Sequence, residues 1–313
     1  MKLQLGKLLY RLYFQPTLKY RYNITHFGFR GWFKMHQGEK AMKKAAHKLR
    51  NQLQKPLYQN IELNFLTGKN YWHQTIFCIE SFIKSYGNNI AVKIYSDGSI
   101  NKEITTIFKK YCNEIIIVKD EEIKEKLNEV LPVSMFPTLN YLRNWHPFFR
   151  RLIDIHAESS WKIHLDSDML FLKLPTEIFE AYTNKSAIYM FEQLNSSYFV
   201  DDSKIIKDKF GIDLVEKVNG GVVAYNGSLV DYVDLEKVAK TLMINYSKAS
   251  PAEIEQTLMS YVLYKQNAFG LNKHEYKIYY ESEHIDLKDN TLRHYIYKAK
   301  YAYLTAEWKK LVH

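Results

Sequence analysis

From about residue 60 the chain switches repeatedly between two hydrophobic periods, and this switching limits its fold more than any other feature. Ile61-Glu62-Leu63-Asn64-Phe65-Leu66-Thr67 is short, apolar and closed by Gly68, as a strand is. Residues 71–86 then space Trp72, Ile76, Ile79, Ile83 and Tyr86 by threes and fours, one face of a helix, and Gly87-Asn88-Asn89 ends the run. Residues 90–95 predict a second strand, ending in Ser96-Asp97-Gly98; a helix near 100–111, a strand at 114–118 and a charged helix near 120–130 follow. Residues 136–145 read as a loop, 146–156 as a helix, and 161–165 and 187–191 as further strands. Strands alternating with helices at this spacing predict a parallel α/β sheet. In such sheets ligands bind beyond the carboxyl ends of the strands. The residues to inspect are therefore Thr67-Gly68, Asp97-Gly98 and those that follow Leu165.

The charge divides the chain in two. Of its 44 Lys and Arg, 13 lie in residues 1–55 with a single acid, Glu39, so this segment carries +12. The remainder holds 31 bases and 33 acids, −2, which makes the overall +10 a property of the N-terminus. The expected organisation is a basic amphipathic extension at 1–56 and an α/β domain at 57–313. Within the extension, Leu5, Leu8, Leu9 and Leu12 form one helical stripe that Pro16 is expected to end. Met42, Ala45, Ala46, Leu49 and Leu53 form a second stripe, with Lys43, Lys44, Lys48 and Arg50 off it. These stripes can pack on the body, and the basic face can attach to anionic lipid. Nucleic acid is the weaker partner, because no helix-turn-helix, zinc-finger or RNP pattern accompanies the charge. Gln4, Lys7 and Arg11 interrupt what would be the apolar core of a secretory signal, and no run approaches 18 apolar residues. Only Cys78 and Cys112 occur, which excludes a disulfide framework. A cytoplasmic location follows, with peripheral attachment to the inner membrane face through residues 1–55 as its extension.

After the strand at 161–165 comes Asp166-Ser167-Asp168, followed at once by the apolar Met169-Leu170-Phe171-Leu172. Side chains alternate along extended chain, so Asp166 and Asp168 point to one side. Two carboxylates so placed repel unless a cation bridges them, and hard oxygens suit Mg²⁺ or Mn²⁺. Apolar flanks on both sides argue against an incidental solvated turn.

This arrangement resembles the Asp-x-Asp motif of GT-A-fold glycosyltransferases, which use nucleotide sugars as donors. The resemblance extends over most of residues 60–310. Phe65-Leu66-Thr67-Gly68-Lys69 is similar to the loop that opens the nucleotide pocket. Ser96-Asp97-Gly98-Ser99 is similar to the Asp-Asp-Gly-Ser/Thr stretch, with Ser96 replacing the first Asp, so the nucleotide contact falls to Asp97. Arg151-Leu152 resembles the basic residue of the helix before the metal strand. Asn219-Gly220-Gly221, running into Val222-Val223-Ala224-Tyr225-Asn226, resembles the strand lining the sugar and acceptor site. Glu255-Gln256-Thr257 resembles the acidic pair opening a later helix, and His294-Tyr295, with Trp308 beyond, the C-terminal His that completes the metal site.

The resemblance implies a GT-A catalytic domain over 57–313: a Rossmann-like, mostly parallel mixed sheet with helices on both faces. It implies transfer of a sugar from a nucleotide sugar, a UDP-sugar by preference, to the hydroxyl of a glycan or lipid-linked acceptor, as in bacterial surface polysaccharide or glycolipid synthesis. Asp166, Asp168 and His294 are the expected ligands of Mn²⁺ or Mg²⁺. Thr67, Gly68, Asp97, Arg151, Asp166 and Ser167 are expected at the nucleotide, and Asn219, Gly220, Gly221 and Glu192 at the sugar and acceptor. Glu255 is the expected base if the reaction inverts. His164, two residues before Asp166, either supports the metal residues or belongs to the core. A haloacid-dehalogenase-type phosphohydrolase would carry Thr or Val where Leu170 stands, and a pyrophosphorylase a Gly-rich loop where Leu66-Thr67-Gly68-Lys69-Asn70 stands. The remaining alternative is a catalytically inactive scaffold that binds nucleotide sugar, membrane or nucleic acid.

Overall fold

The computed structural model describes residues 15–53, 61–157, 160–194, 197–281 and 290–311. It opens with helix α1 (Gln15–Ala46), kinked at Gly28, whose φ of 65° and ψ of 174° leave the helical region. β1 (Glu62–Thr67), α2 (Trp72–Tyr86), β2 (Ala91–Ser96), α3 (Lys102–Tyr111), β3 (Ile116–Val118) and α4 (Asp120–Val130) follow as a regular alternation. Then come α5 (Pro137–Trp145) and α6 (Phe148–Arg150), which continues into a π-helical turn, Arg151–Ile155. β4 (Trp161–Leu165) and β5 (Met169–Phe171) flank the Asp166–Asp168 turn. The remainder is α7 (Thr176–Asn184), β6 (Ile188–Phe191), α8 (Ser203–Phe210), β7 (Val218–Asn226), α9 (Tyr232–Asn245), α10 (Pro251–Lys265), β8 (Phe269–Gly270), β9 (Tyr276–Tyr279), β10 (Leu292–Tyr295) and α11 (Lys300–Thr305).

The main sheet has the order β3-β2-β1-β4-β7-β6-β8. β1 lies parallel to both β2 and β4, with Thr67 opposite Ser96 and Leu63 opposite Ile163. Beyond β4 the parallel pattern ends, because β7 runs antiparallel to both β4 and β6. The sheet is thus mixed rather than wholly parallel. A second sheet, β5-β10-β9, sets His294 opposite Met169. The central strands β4 and β7 are buried on both faces, which is why they read as near-continuous apolar runs. Two hydrophobic clusters pack them: one on the α2 and α3 side, one built from α5, α9 and α10.

Residues 137–145, expected as a loop, form α5. Pro137 opens it without sacrificing a hydrogen bond, and Leu139, Leu142 and Arg143 turn one buried face to the core. Arg143 holds it there: its Nε and Nη2 donate to both oxygens of Asp154 at 2.6 and 2.9 Å, and Nη2 also donates to Asp120 at 3.0 Å. Burial pushes the Asp154 carboxyl up to about 6 against the pull of Arg143. The 146–156 helix forms only in part, its last turn widening to a π-turn that begins at Arg151; such turns recur at functional sites.

In the basic extension, Met42, Ala46 and Leu53 are buried and Ala45 and Leu49 half-buried, so the second apolar stripe packs on the body. Gly38 permits this: a Cβ there would lie 2.2 Å from the Leu304 carbonyl oxygen of α11. Phe27 stacks on Tyr301 of the same helix at 5.1 Å. Pro16 stands in the first turn of α1, and the helix it was expected to end lies outside the described residues. The stripe of Leu5, Leu8, Leu9 and Leu12, and the boundary at residues 56–57, lie outside the described residues. No helix among the described residues is long and apolar enough to cross a membrane. Cys78 and Cys112 are buried and unpaired with each other.

Candidate active site

The carboxyl ends of β1, β2 and β4 open onto a cavity of about 430 Å³. Thr67, Asp97, Arg151, Asp166, Ser167, Asp168, Glu192, Asn219, Gly220, Gly221, Glu255 and His294 all line it. Of the expected site residues only Gly68 does not. Its role is steric: a Cβ at Gly68 would lie 2.0 Å from an Asp97 oxygen, so glycine lets Asp97 approach the β1 loop. Asp97 Oδ1 in turn accepts from the Ser99 amide at 2.8 Å and its hydroxyl at 2.5 Å, which fixes the carboxylate at the rim. Deeper in, Thr75 donates to Thr67 at 2.9 Å and lies 2.8 Å from the Ser167 hydroxyl, tying β1, α2 and the Asp166–Asp168 turn together.

The turn is anchored by backbone, since the Asp166 amide donates to Gly221 O at 2.8 Å and the Tyr295 amide to Asp168 O at 3.0 Å. The first bond joins the turn to β7 and the second to β10, so both sheets meet at the acid pair. One oxygen each of Asp166 and Asp168 and one His294 nitrogen fall within 4.8 Å of one another. His294 Nε2 is 3.3 Å from Asp168 Oδ1 and 3.8 Å from Asp166 Oδ2. Two hard oxygens and an imidazole, converging beside an open cavity, fit a small divalent ion. Gly221 is what makes room, because a Cβ there would lie 2.6 Å from His294 Nδ1.

Two cations already serve these acids. Arg151 Nη1 donates to both Asp166 oxygens, at 2.8 and 3.1 Å, and to Gly220 O at 3.2 Å, while Nη2 donates to Glu255 at 3.2 Å. Burial opposes the Arg151 charge, yet Asp166 and Glu255 more than offset it and hold the guanidinium protonated. Lys300 Nζ lies 2.5 Å from Asp168 Oδ2. Burial works against the Asp168 charge too, but Lys300 and His294 hold that carboxyl well below its usual range.

Glu255 is fully buried in the second turn of α10, a helix whose start is fixed by the Ser250–Glu253 capping box. Its Oε1 has no hydrogen-bond partner, and burial, only partly countered by Arg151, raises its pKa to about 7. Glu192 differs. Its carboxylate accepts from Asn219 at 3.0 Å, from the Gln193 and Leu194 amides at 2.8 and 3.1 Å, and from the Tyr280 hydroxyl. It orients Asn219, whose own Oδ1 accepts from the Gly221 amide at 2.9 Å. His164 donates to Gly220 O at 3.1 Å and accepts from His156 at 2.9 Å, so it backs the carbonyl that Arg151 also binds. Burial keeps both imidazoles neutral, His164 at about 4. Trp308 belongs to the core, edge-on to Phe77.

Gln256, read from sequence beside Glu255, also lines the cavity, as do Lys300 and Tyr297, which nothing in the sequence singled out. Lys300 is one basic residue among 44, and only the β10–α11 connection brings it under Asp168. Tyr297, in that connection, has a φ of 46°, a conformation that costs a non-glycine residue roughly 1 kcal/mol or more and is retained where the surroundings impose it.

No family model and no curated protein matches this sequence. Solved structures do. Mouse xyloside xylosyltransferase 1, in its apo form, shares 12% identity, with 75% of this chain covering 97% of that one at a TM-score of 0.51. The galactosyltransferase LgtC, solved with donor and acceptor sugar analogues, shares 12% identity over 80% of this chain and 94% of its own, at 0.48. The bifunctional glycosyltransferase WbbM shares 11% over 84% and 53%, also at 0.48. In the order of its strands, and in its likeness to the mouse xylosyltransferase over nearly that enzyme's whole chain, this protein has the GT-A glycosyltransferase fold.

Proposed function

We propose that the protein is a metal-dependent glycosyltransferase that moves a sugar from a nucleotide sugar, a UDP-sugar by preference, to an acceptor hydroxyl on a glycan or lipid. The observation that carries this reading is the convergence of Asp166, Asp168 and His294 at the carboxyl ends of the strands of a GT-A sheet. A divalent ion held by these three residues would neutralise the charge that builds on the departing diphosphate. Thr67 and Asp97, at the ends of β1 and β2, position the nucleotide, with Ser167 between the acids. Arg151 and Lys300, both cationic and both facing the acid pair, exchange part of that pairing for diphosphate oxygens when the donor enters. Gly220 and Gly221 let Arg151 and His294 close on the β7 backbone at the wall expected to meet the sugar, and Asn219, held by Glu192, binds the sugar hydroxyls. Glu255 has the bare oxygen and the pKa suited to taking the acceptor proton if the reaction inverts. The buried thiols suit a reducing, cytoplasmic workplace.

A thermal-shift panel of UDP-, GDP- and CDP-sugars with and without Mn²⁺ tests this reading. A ligand at about 100 times its Kd stabilises by roughly 2.7 kcal/mol, a shift of several degrees. A metal-dependent shift with one nucleotide class is expected. No shift with any of them contradicts donor binding, and a shift indifferent to metal favours an inactive binding scaffold.

A further inference from the structure

The face of α1 that looks away from the body is composed the wrong way round for a solvated helix. Met35, Gly38, Met42 and Ala46 form its buried ridge. At 100° per residue the opposite ridge holds Phe29, Phe33, Lys40 and Lys44, flanked by Arg30 and Lys34. All six are exposed, Phe29 at 67% and Phe33 at 47%. Large aromatic side chains on an outward ridge gain nothing from water, and the cations beside them are unmatched by acids on that face. The sole acid of α1, Glu39, lies to one side and pairs with Lys43 at 2.8 Å. Ile24 and Tyr22 add exposed apolar surface before the kink.

We propose that this ridge docks on an anionic lipid bilayer, the two phenylalanines entering the headgroup boundary and the four cations meeting phosphate. Interleaved bases and aromatics on one helix face are the composition of an interfacial helix. A duplex nucleic acid, met through its phosphates, would use the charge and leave Phe29 and Phe33 without partners; an acyl boundary uses both. The position of α1 gives the docking a consequence. α11 is clamped to α1 by the Gly38–Leu304 approach and the Phe27–Tyr301 stack, and the residue before Tyr301 is Lys300 of the cavity wall. Bilayer and cavity are thereby separated by two helix layers, roughly 20 Å. Resting on the glycosyl-transfer reading, the acceptor class that this placement favours is a hydroxyl carried on a membrane-anchored molecule.

The test is co-sedimentation of the full chain with vesicles of phosphatidylcholine, alone or with about 30% phosphatidylglycerol. Binding to the anionic vesicles only, weakening as salt rises, is expected. Phe29→Ser with Phe33→Ser, and separately Lys40→Glu with Lys44→Glu, should each weaken it about tenfold or more, while the Mn²⁺–UDP thermal shift stays that of the wild type. Equal binding by wild type and both double variants overturns the assignment of this ridge. Wild-type binding to single-stranded RNA but to neither vesicle overturns the lipid partner. Loss of the nucleotide shift with vesicle binding intact would instead count against the glycosyl-transfer reading alone.

Discussion

Glu255 sits where burial and charge oppose one another, and the balance can be read as pH dependence. Its ordinary pKa of 4.5 is raised to about 7, by burial first, with Arg151 pulling the other way. The unfolded chain releases this proton near 4.5 and the native protein near 7. Between those values the native state binds more protons, so Glu255 subtracts stability as pH rises through the window, and the loss is complete above it. If the reaction inverts with Glu255 as its base, the same ionisation produces that base, and turnover should rise through about pH 7. Glu255→Gln should flatten the stability profile between pH 4.5 and 7 and lower turnover by roughly 10²–10⁴. Turnover that keeps both its size and its pH dependence in this variant would place the base elsewhere. Gly221 gives a second test at this scale. Gly221→Ala sets a methyl 2.6 Å from His294 Nδ1, so the ring must leave its place beside Asp168. Mn²⁺ affinity, followed by electron paramagnetic resonance, should fall about tenfold or more, as expected when a ligand's support is lost, with the melting curve still cooperative.

Among the elements, α5 shows what periodicity alone could not reveal. Its nine residues offer only Leu139, Leu142 and Arg143 to the interior, and a buried arginine does not count as an apolar match. The partners that make it helical, Asp154 and Asp120, lie 11 and 23 residues away in sequence. Arg143→Ala would leave the Asp154 carboxylate buried and uncompensated, at a cost of about 3–5 kcal/mol. Denaturant unfolding should show that loss, and Arg143→Met with Asp154→Leu should recover much of it; equal stability of wild type and Arg143→Ala would mean the pair is idle. The antiparallel entry of β7 was likewise hidden, because a strand buried on both faces reads the same in either direction. By contrast β1, α2, β2 and α3 were legible at once, since their periods of two and three-to-four are local properties. Between α1 and α11, Gly38→Val should destabilise by about 1–3 kcal/mol, because its methyls meet backbone at Leu304 rather than a side chain that can turn aside.

Across the whole molecule, the charge that distinguishes the sequence and the chemistry that the fold supports lie in different places. The N-terminal +12 rides on α1 and its flanks, while the cavity is lined by five acids, Asp97, Asp166, Asp168, Glu192 and Glu255, against two bases, Arg151 and Lys300. The acid pair was readable because two carboxylates after an apolar strand are conspicuous, His294 only through the family resemblance, and the glycines because they permit close approach. Lys300 was not, since nothing local distinguishes it, and Glu192 was readable only as a position: its four donors come from three separate segments. Calorimetric titration of Mn²⁺ into the wild-type protein and into Asp168→Asn, each with and without UDP, tests the metal site most directly. Metal-dependent glycosyl transfer predicts saturable Mn²⁺ binding that tightens with UDP in the wild type and is lost in a folded Asp168→Asn. The same Mn²⁺ isotherm in both proteins, or UDP binding indifferent to the metal, would contradict it.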